Sequence, residues 1–263
     1  MTEKARSAVD VYASIVERMK NIFDKEKSLE EGKLNLNFNG VQDNRRLIKN
    51  LGNWVEKEGF LFFDSMTVPI PAGFNTKQNL YTYVNQLNSD FDIVDSVERF
   101  IDVAIKETSK VINDPTIVES RSFIFPDLSK MDNGKTASVV TNTIGKYFTN
   151  DKSKDRDVFT NVFSNASELN LTAVELETLV SKIDKKVPGR INDKLVRLSS
   201  LASTLKEVLT DDVNKPTLVP YYNEKIIAPL AEWCEALSIY LYQVNVVKVC
   251  FSDIEEHIRS LNK

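Results

Sequence analysis

Apolar residues recur at steps of three and four over most of this chain, and the places where that rhythm changes mark its elements. Residues 5 to 23 carry Ala5, Ala8, Tyr12, Ile15, Met19 and Ile22, widened by Val9, Val16 and Phe23. That stripe is broader than the seam of a two-stranded coil and predicts an amphipathic helix facing a bundle. Alternation then replaces it. In KLNLNFNG, Leu34, Leu36 and Phe38 take one face and asparagines the other, the period of a half-buried strand. A helical patch follows (Leu47, Ile48, Leu51, Trp54, Val55), then FLFFDSMTVPIPAG, closed by Pro69, Pro71 and Gly73. Together they predict a small strand–helix–strand element near residues 33-71.

Downstream the helical period dominates. Leu80, Tyr83, Val84 and Leu87 predict a short helix over 76 to 88. A longer one over 93 to 112 carries Ile93, Val97, Phe100, Ile101, Ala104, Ile105 and Val111, and Asn113-Asp114-Pro115 halts it. Thr172 and Glu175 have capping-box spacing and predict a helix start there, running to about Lys186. Val187-Pro188-Gly189 predicts a turn, and Ile191, Leu195, Leu198, Leu201, Leu205, Val208 and Leu209 a helix over 190 to 211. Pro216 and Pro220 break the chain again.

The most regular pattern comes last. From Leu230 the apolar residues run Trp233, Leu237, Tyr240, Val244, Val247, Phe251, Ile254, Ile258 and Leu261, alternating steps of three and four. At ~1.5 Å per residue such a helix approaches ~50 Å. Ile239, Leu241, Val246 and Val249 make its middle apolar on other sides as well, where a two-stranded coil would carry charge. The expected fold is therefore mainly α, a multi-helix bundle around this long C-terminal helix, which the N-terminal and 190 to 211 helices would cover. The polar stretches SKMDNGK and NDKSKDRD suggest a soft boundary, with an N-terminal helical region over 1-130 and a C-terminal bundle over 131-263.

Composition narrows the function. Glycine numbers 8 in 263 residues, about 3% against a usual ~7%, which leaves few backbone cradles for a ligand. A net charge of −4 and a pI near 5.3 argue against a nucleic-acid partner, which would need a basic face. The N-terminus lacks the apolar core of a signal peptide. The run ALSIYLYQVNVVKVCF falls short of the roughly 18 to 20 apolar residues of a membrane span and is interrupted by Gln243, Asn245 and Lys248. A cytoplasmic protein, or one incorporated into a particle assembled there, is expected. Cys234 and Cys250 lie 16 positions apart in one predicted helix, too far to bond each other.

One fragment resembles chemistry. In SFIFPDLSKMDNGKTASVV an apolar segment leads through a polar loop to Gly134-Lys135-Thr136, the order of a phosphate-binding loop. The full motif needs a first glycine five positions before the second. Here that position is Ser129, and Asp132 would face the phosphate charge. Asn133-Gly134 is better read as a turn, with Lys135 solvated and Thr136 capping a helix. Asp151, Ser153, Asp155 and Asp157 alternate as a calcium loop begins, but Arg156 stands where glycine is required and Val162 where glutamate is. His257 is the single histidine, so no histidine metal site or serine triad is available within one copy. No cofactor and no metal are expected.

The expected function is a non-enzymatic structural, assembly or protein-interaction component of a larger complex, tailed-phage particles among the candidates. Protein partners or further copies would bind through Trp233, Tyr240, Ile254, Ile258 and Leu261. Two alternatives stay open: a nucleotide- or anion-binding enzyme or regulator using Gly134, Lys135 and Thr136, and a helical membrane-surface binder.

Overall fold

The computed structural model describes residues 67–70, 79–114, 126–145, 156–164, 166–211 and 223–260. These residues are mainly helical, as the periodicity implies. In chain order the elements are β1 (Thr67–Pro69), α1 (Leu80–Ser89), α2 (Asp92–Asn113), α3 (Ala137–Gly145), β2 (Arg156–Val158), the single-turn α4 (Phe159–Val162), α5 (Ala166–Lys186), α6 (Asn192–Asp211) and α7 (Ala228–Ser260). Two π-helical turns occupy Val187–Ile191 and Asn223–Ile227. The expected helix over 5 to 23, the segments at 34 to 38 and 47 to 55, and Pro216 and Pro220 lie outside the described residues.

The chain divides into two compact units, each assembled from three separate stretches. The first holds Met1–Gly32, Asp92–Thr141 and Asp184–Ile239, and the second Lys33–Phe91, Asn142–Ile183 and Tyr240–Lys263.

In the first unit α2 packs along α6 and the π turn before it. The α2 residues Ile93, Val97, Phe100, Ile101 and Ala104 are buried, as are Leu195, Leu198, Ala202 and Leu205 of α6, each set at helical spacing. Ion pairs fix the register. Lys186 meets Asp95 and, at 3.8 Å, Glu98. Lys194 reaches Glu98 at 2.8 Å and Asp102 at 2.7 Å. Lys186 ends α5 and Lys194 lies on α6, and their α2 partners rise in the same order, so α2 runs parallel to the chain from the end of α5 into α6. The Lys194 hydrogen bond holds the Glu98 carboxyl below its usual range. Burial works against the Lys194 charge, yet hydrogen bonds to Asp102 and Glu98 outweigh it and raise that ammonium's pKa.

The turn expected at Val187-Pro188-Gly189 is instead helical: a π turn carries α5 into α6. Proline has no N–H to return to the carbonyl four residues back, and a wider ring absorbs that gap. Gly189 does not take the positive φ that would end a helix.

In the second unit β1 and β2 pair antiparallel, Val68 opposite Asp157. Both strands of this two-stranded sheet are edges, so Pro69 is tolerated. The run 150 to 157, expected as a solvated loop, therefore ends in a strand. Asp157 is buried, and its Oδ1 accepts from the Val158 N–H at 2.9 Å and from Asn161 Nδ2 at 2.8 Å. Of the strand–helix–strand element only the extended segment at Thr67–Pro69 falls among the described residues, and its partner is β2.

Asn79 caps α1, accepting the Thr82 N–H at 2.8 Å, and its amide donates to Ser164 Oγ and Glu168 Oε2. Glu168 also accepts the Ser164 N–H at 2.6 Å. The true start of α5 is thus Ala166, six residues before the expected cap. Thr172 sits inside the helix, its hydroxyl donating to the Glu168 carbonyl at 2.6 Å, a mid-helix habit of threonine. On α1, Tyr83 donates to Gln243 Oε1 at 2.8 Å, and the Leu87 carbonyl accepts from the Tyr240 hydroxyl at 2.9 Å. The numbers run in opposite senses, so α1 lies antiparallel to this part of α7. Residues of α7 up to Ile239 belong to the first unit and those from Tyr240 to the second.

Candidate functional site

The GKT fragment forms a short hairpin followed by a helix. Lys130 and Thr136 bridge antiparallel, and the Met131 N–H donates to the Lys135 carbonyl at 2.9 Å. The Gly134 N–H closes the turn on the Met131 carbonyl at 2.9 Å. Gly134 has φ +79°, the only positive φ among the described residues. A turn followed by a left-handed glycine is the usual three-residue hairpin loop. Nothing lies within 4 Å of where a Cβ on Gly134 would stand, so a substitution there meets backbone strain alone. Gly134→Ala is expected to lose about 1–2 kcal/mol of stability, read as a lower denaturant midpoint, with Gly134→Asn losing less because asparagine tolerates that conformation.

The exposed polar side chains of the loop hydrogen-bond back to the chain and hold it. Asn133 Oδ1 accepts the Lys135 N–H at 3.0 Å, and its Nδ2 donates to Asp92 Oδ2 at 2.9 Å, on the first residue of α2. Asp132 pairs with Arg99, also on α2, and that hydrogen bond lowers the Asp132 pKa. Asp127 accepts from both the hydroxyl and the N–H of Ser129, at 2.5 and 2.9 Å, and its pKa falls accordingly. The Thr136 hydroxyl accepts the Val139 N–H at 3.4 Å, at the start of α3.

This geometry bears directly on phosphate binding. A phosphate cradle needs free backbone N–H groups converging on one point. Those of Ser129, Met131, Gly134, Lys135 and Val139 already have acceptors within the chain. Two ionised carboxylates, Asp127 and Asp132, stand in the same loop. Lys135 and Thr136 are half-buried beside it. The apolar lead-in Phe123 to Phe125 lies outside the described residues.

Of the residues expected to meet partners, Trp233, Tyr240 and Ile254 have described side chains. Trp233, Tyr240 and Ile254 are each 0% exposed and pack the chain's own core. The Trp233 indole donates to the Leu128 carbonyl at 2.8 Å and its ring lies 5.4 Å from that of Phe100. The side chains of Ile258 and Leu261, and that of His257, lie outside the described residues. Cys234 and Cys250 are free and buried, and burial pushes both thiols far up, so neither is a ready nucleophile or metal ligand.

Among the described residues no group of three or more His, Cys, Asp or Glu side chains is placed to hold a metal ion, and no helix is long and apolar enough to cross a membrane. Glu107 is the one buried glutamate there. Its Oε1 accepts from Lys110 at 2.7 Å while Oε2 meets no partner.

Sequence reasoning missed the contacts that tie the hairpin to α2. Arg99 and Asp132 are 33 positions apart, and Asp92 and Asn133 are 41 apart, with no periodic signal linking them. Compared with protein-family models, curated proteins and solved structures, the chain matches none.

Proposed function

We propose that this chain is a non-enzymatic structural or protein-interaction component of a larger complex, binding protein partners or further copies of itself and using neither nucleic acid nor membrane as its partner. The observation that carries the reading is on α5. Leu171 and Val174, one turn apart, are 45% and 49% exposed, while Leu169, Leu176, Leu179 and Ile183 of the same helix are buried. Lone exposed leucines are ordinary. Two apolar side chains adjacent on a second face of one helix form a small apolar patch, the place where the proposed partner or copy would dock. The Met131, Gly134 and Lys135 N–H groups, already donated within the hairpin, support the non-enzymatic half. Membership of a tailed-phage particle is the narrower form of the proposal and rests on composition alone.

Light scattering over a wide concentration range tests it. The expected mass rises with concentration in the unaltered chain and rises less in a Leu171→Ser, Val174→Ser double variant of equal helicity by circular dichroism. A strict monomer throughout contradicts self-association through α5.

A further inference from the structure

We infer that Asn133 is a site of spontaneous deamidation, gated by the hairpin it closes. Asparagine before glycine is the pairing most open to attack by the following backbone nitrogen, and here the space beside Gly134 is empty to 4 Å. Both Asn133 and Gly134 are exposed. The Gly134 nitrogen attacks Asn133 Cγ. The new N–Cγ bond forms as Cγ–Nδ2 breaks, and the side-chain nitrogen leaves as ammonia with the proton from the Gly134 N–H. Water then opens the cyclic imide at either carbonyl, leaving aspartate or isoaspartate at position 133. Solvent water is the sole co-reactant.

The closed hairpin restrains every reacting group. The Gly134 N–H is donated to the Met131 carbonyl at 2.9 Å. Asn133 Nδ2 is held by Asp92 Oδ2 at 2.9 Å, and Oδ1 by the Lys135 N–H at 3.0 Å. Attack therefore requires the hairpin to open. The ties that resist opening, Arg99 to Asp132 and Asn133 to Asp92, are exposed, so opening is a local event and does not require global unfolding. The product does not restore the contact. A carboxylate at 133 only accepts hydrogen bonds and meets the Asp92 carboxylate as a like charge, so the reaction converts a latched hairpin into an unlatched one without return.

The test is peptide mapping by mass spectrometry of the full chain held in mildly alkaline buffer, with aspartate and isoaspartate products separated. Three samples are compared: the native chain, the Arg99→Ala variant and the denatured chain. Deamidation at Asn133 is expected fastest in the denatured chain and several-fold faster in Arg99→Ala than in the native chain. Asn39-Gly40, the other Asn-Gly pair of the sequence, is the internal reference. A rise confined to Asn133 supports the gate, whereas an equal rise at Asn39 assigns the effect to general unfolding and overturns it. Equal Asn133 rates in all three samples, or none in the denatured chain, overturn it too. An Asn133→Asp chain is expected to exchange its Met131 and Gly134 amide hydrogens faster than the native one, and unchanged exchange contradicts the loss of the latch.

Discussion

Replacing Trp233 with alanine is expected to lower stability by about 3–5 kcal/mol, a large share of the roughly 5–15 kcal/mol that a folded domain possesses. Two losses combine. The fully buried ring leaves a cavity against Phe100, whose centroid is 5.4 Å away. The Leu128 carbonyl loses the indole N–H that it accepts at 2.8 Å. Trp233→Phe separates the two, since a phenyl ring keeps most of the apolar contact and none of the donor. That variant is expected to lose about 1–3 kcal/mol. Urea denaturation of both variants measures the difference. Because Leu128 leads into the hairpin, faster amide exchange at Met131 is expected in Trp233→Phe as well. Equal midpoints for Trp233→Phe and the native chain would deny the indole its structural role.

Tyr240→Ala is expected to cost a similar ~3–5 kcal/mol, through the second unit. Helix α1 ends at Ser89, so its last carbonyls lack intrahelical donors. The Asp90 N–H serves Gln86 and the Phe91 N–H serves Asn88, and the Tyr240 hydroxyl serves the Leu87 carbonyl between them. Tyr240→Phe removes that hydroxyl alone. The expected cost is about 1–2 kcal/mol, with fraying at the C-terminal end of α1. Hydrogen exchange at Asp90 and Phe91 reads the fraying. Unchanged exchange in Tyr240→Phe would show that the helix end is held by other means.

What was legible in the sequence depended on how local the signal was. The bounds of α2 were within a residue of expectation because its stripe is unbroken and Asn113-Asp114-Pro115 stops it. The apolar spacing puts the start of α1 at 76, before Asn79, although asparagine before Leu80 is an ordinary cap signal. The spacing of Thr172 to Glu175 fits a cap, yet a threonine hydroxyl satisfied by the carbonyl four residues back sits equally well inside a helix. Pro188-Gly189 suggested a stop, and a π turn carries the helix through. Asp157 reads in sequence as one of a run of solvated charges, since the partner that makes it part of a strand, Val68, is remote in sequence. The Asn133-Gly134 turn was legible from residue type. Its attachment to Asp92 and Arg99, and the engagement of its amides, were not, because long-range side-chain pairing leaves no period to detect. Trp233 and Tyr240 are prominent in the heptad pattern, but hydrophobic spacing alone does not tell a core from an interface.

The most direct measurement is a calorimetric titration of the full chain with magnesium ATP and magnesium GTP, with Lys135→Ala run alongside. If the Lys130–Thr136 segment is a latched turn that keeps its Met131, Gly134 and Lys135 N–H groups on acceptors of its own, neither nucleotide gives saturable heat and the two proteins behave alike. Stoichiometric binding to the unaltered chain that vanishes in Lys135→Ala, at unchanged thermal stability, would show that the loop opens to receive phosphate and would contradict the non-catalytic reading.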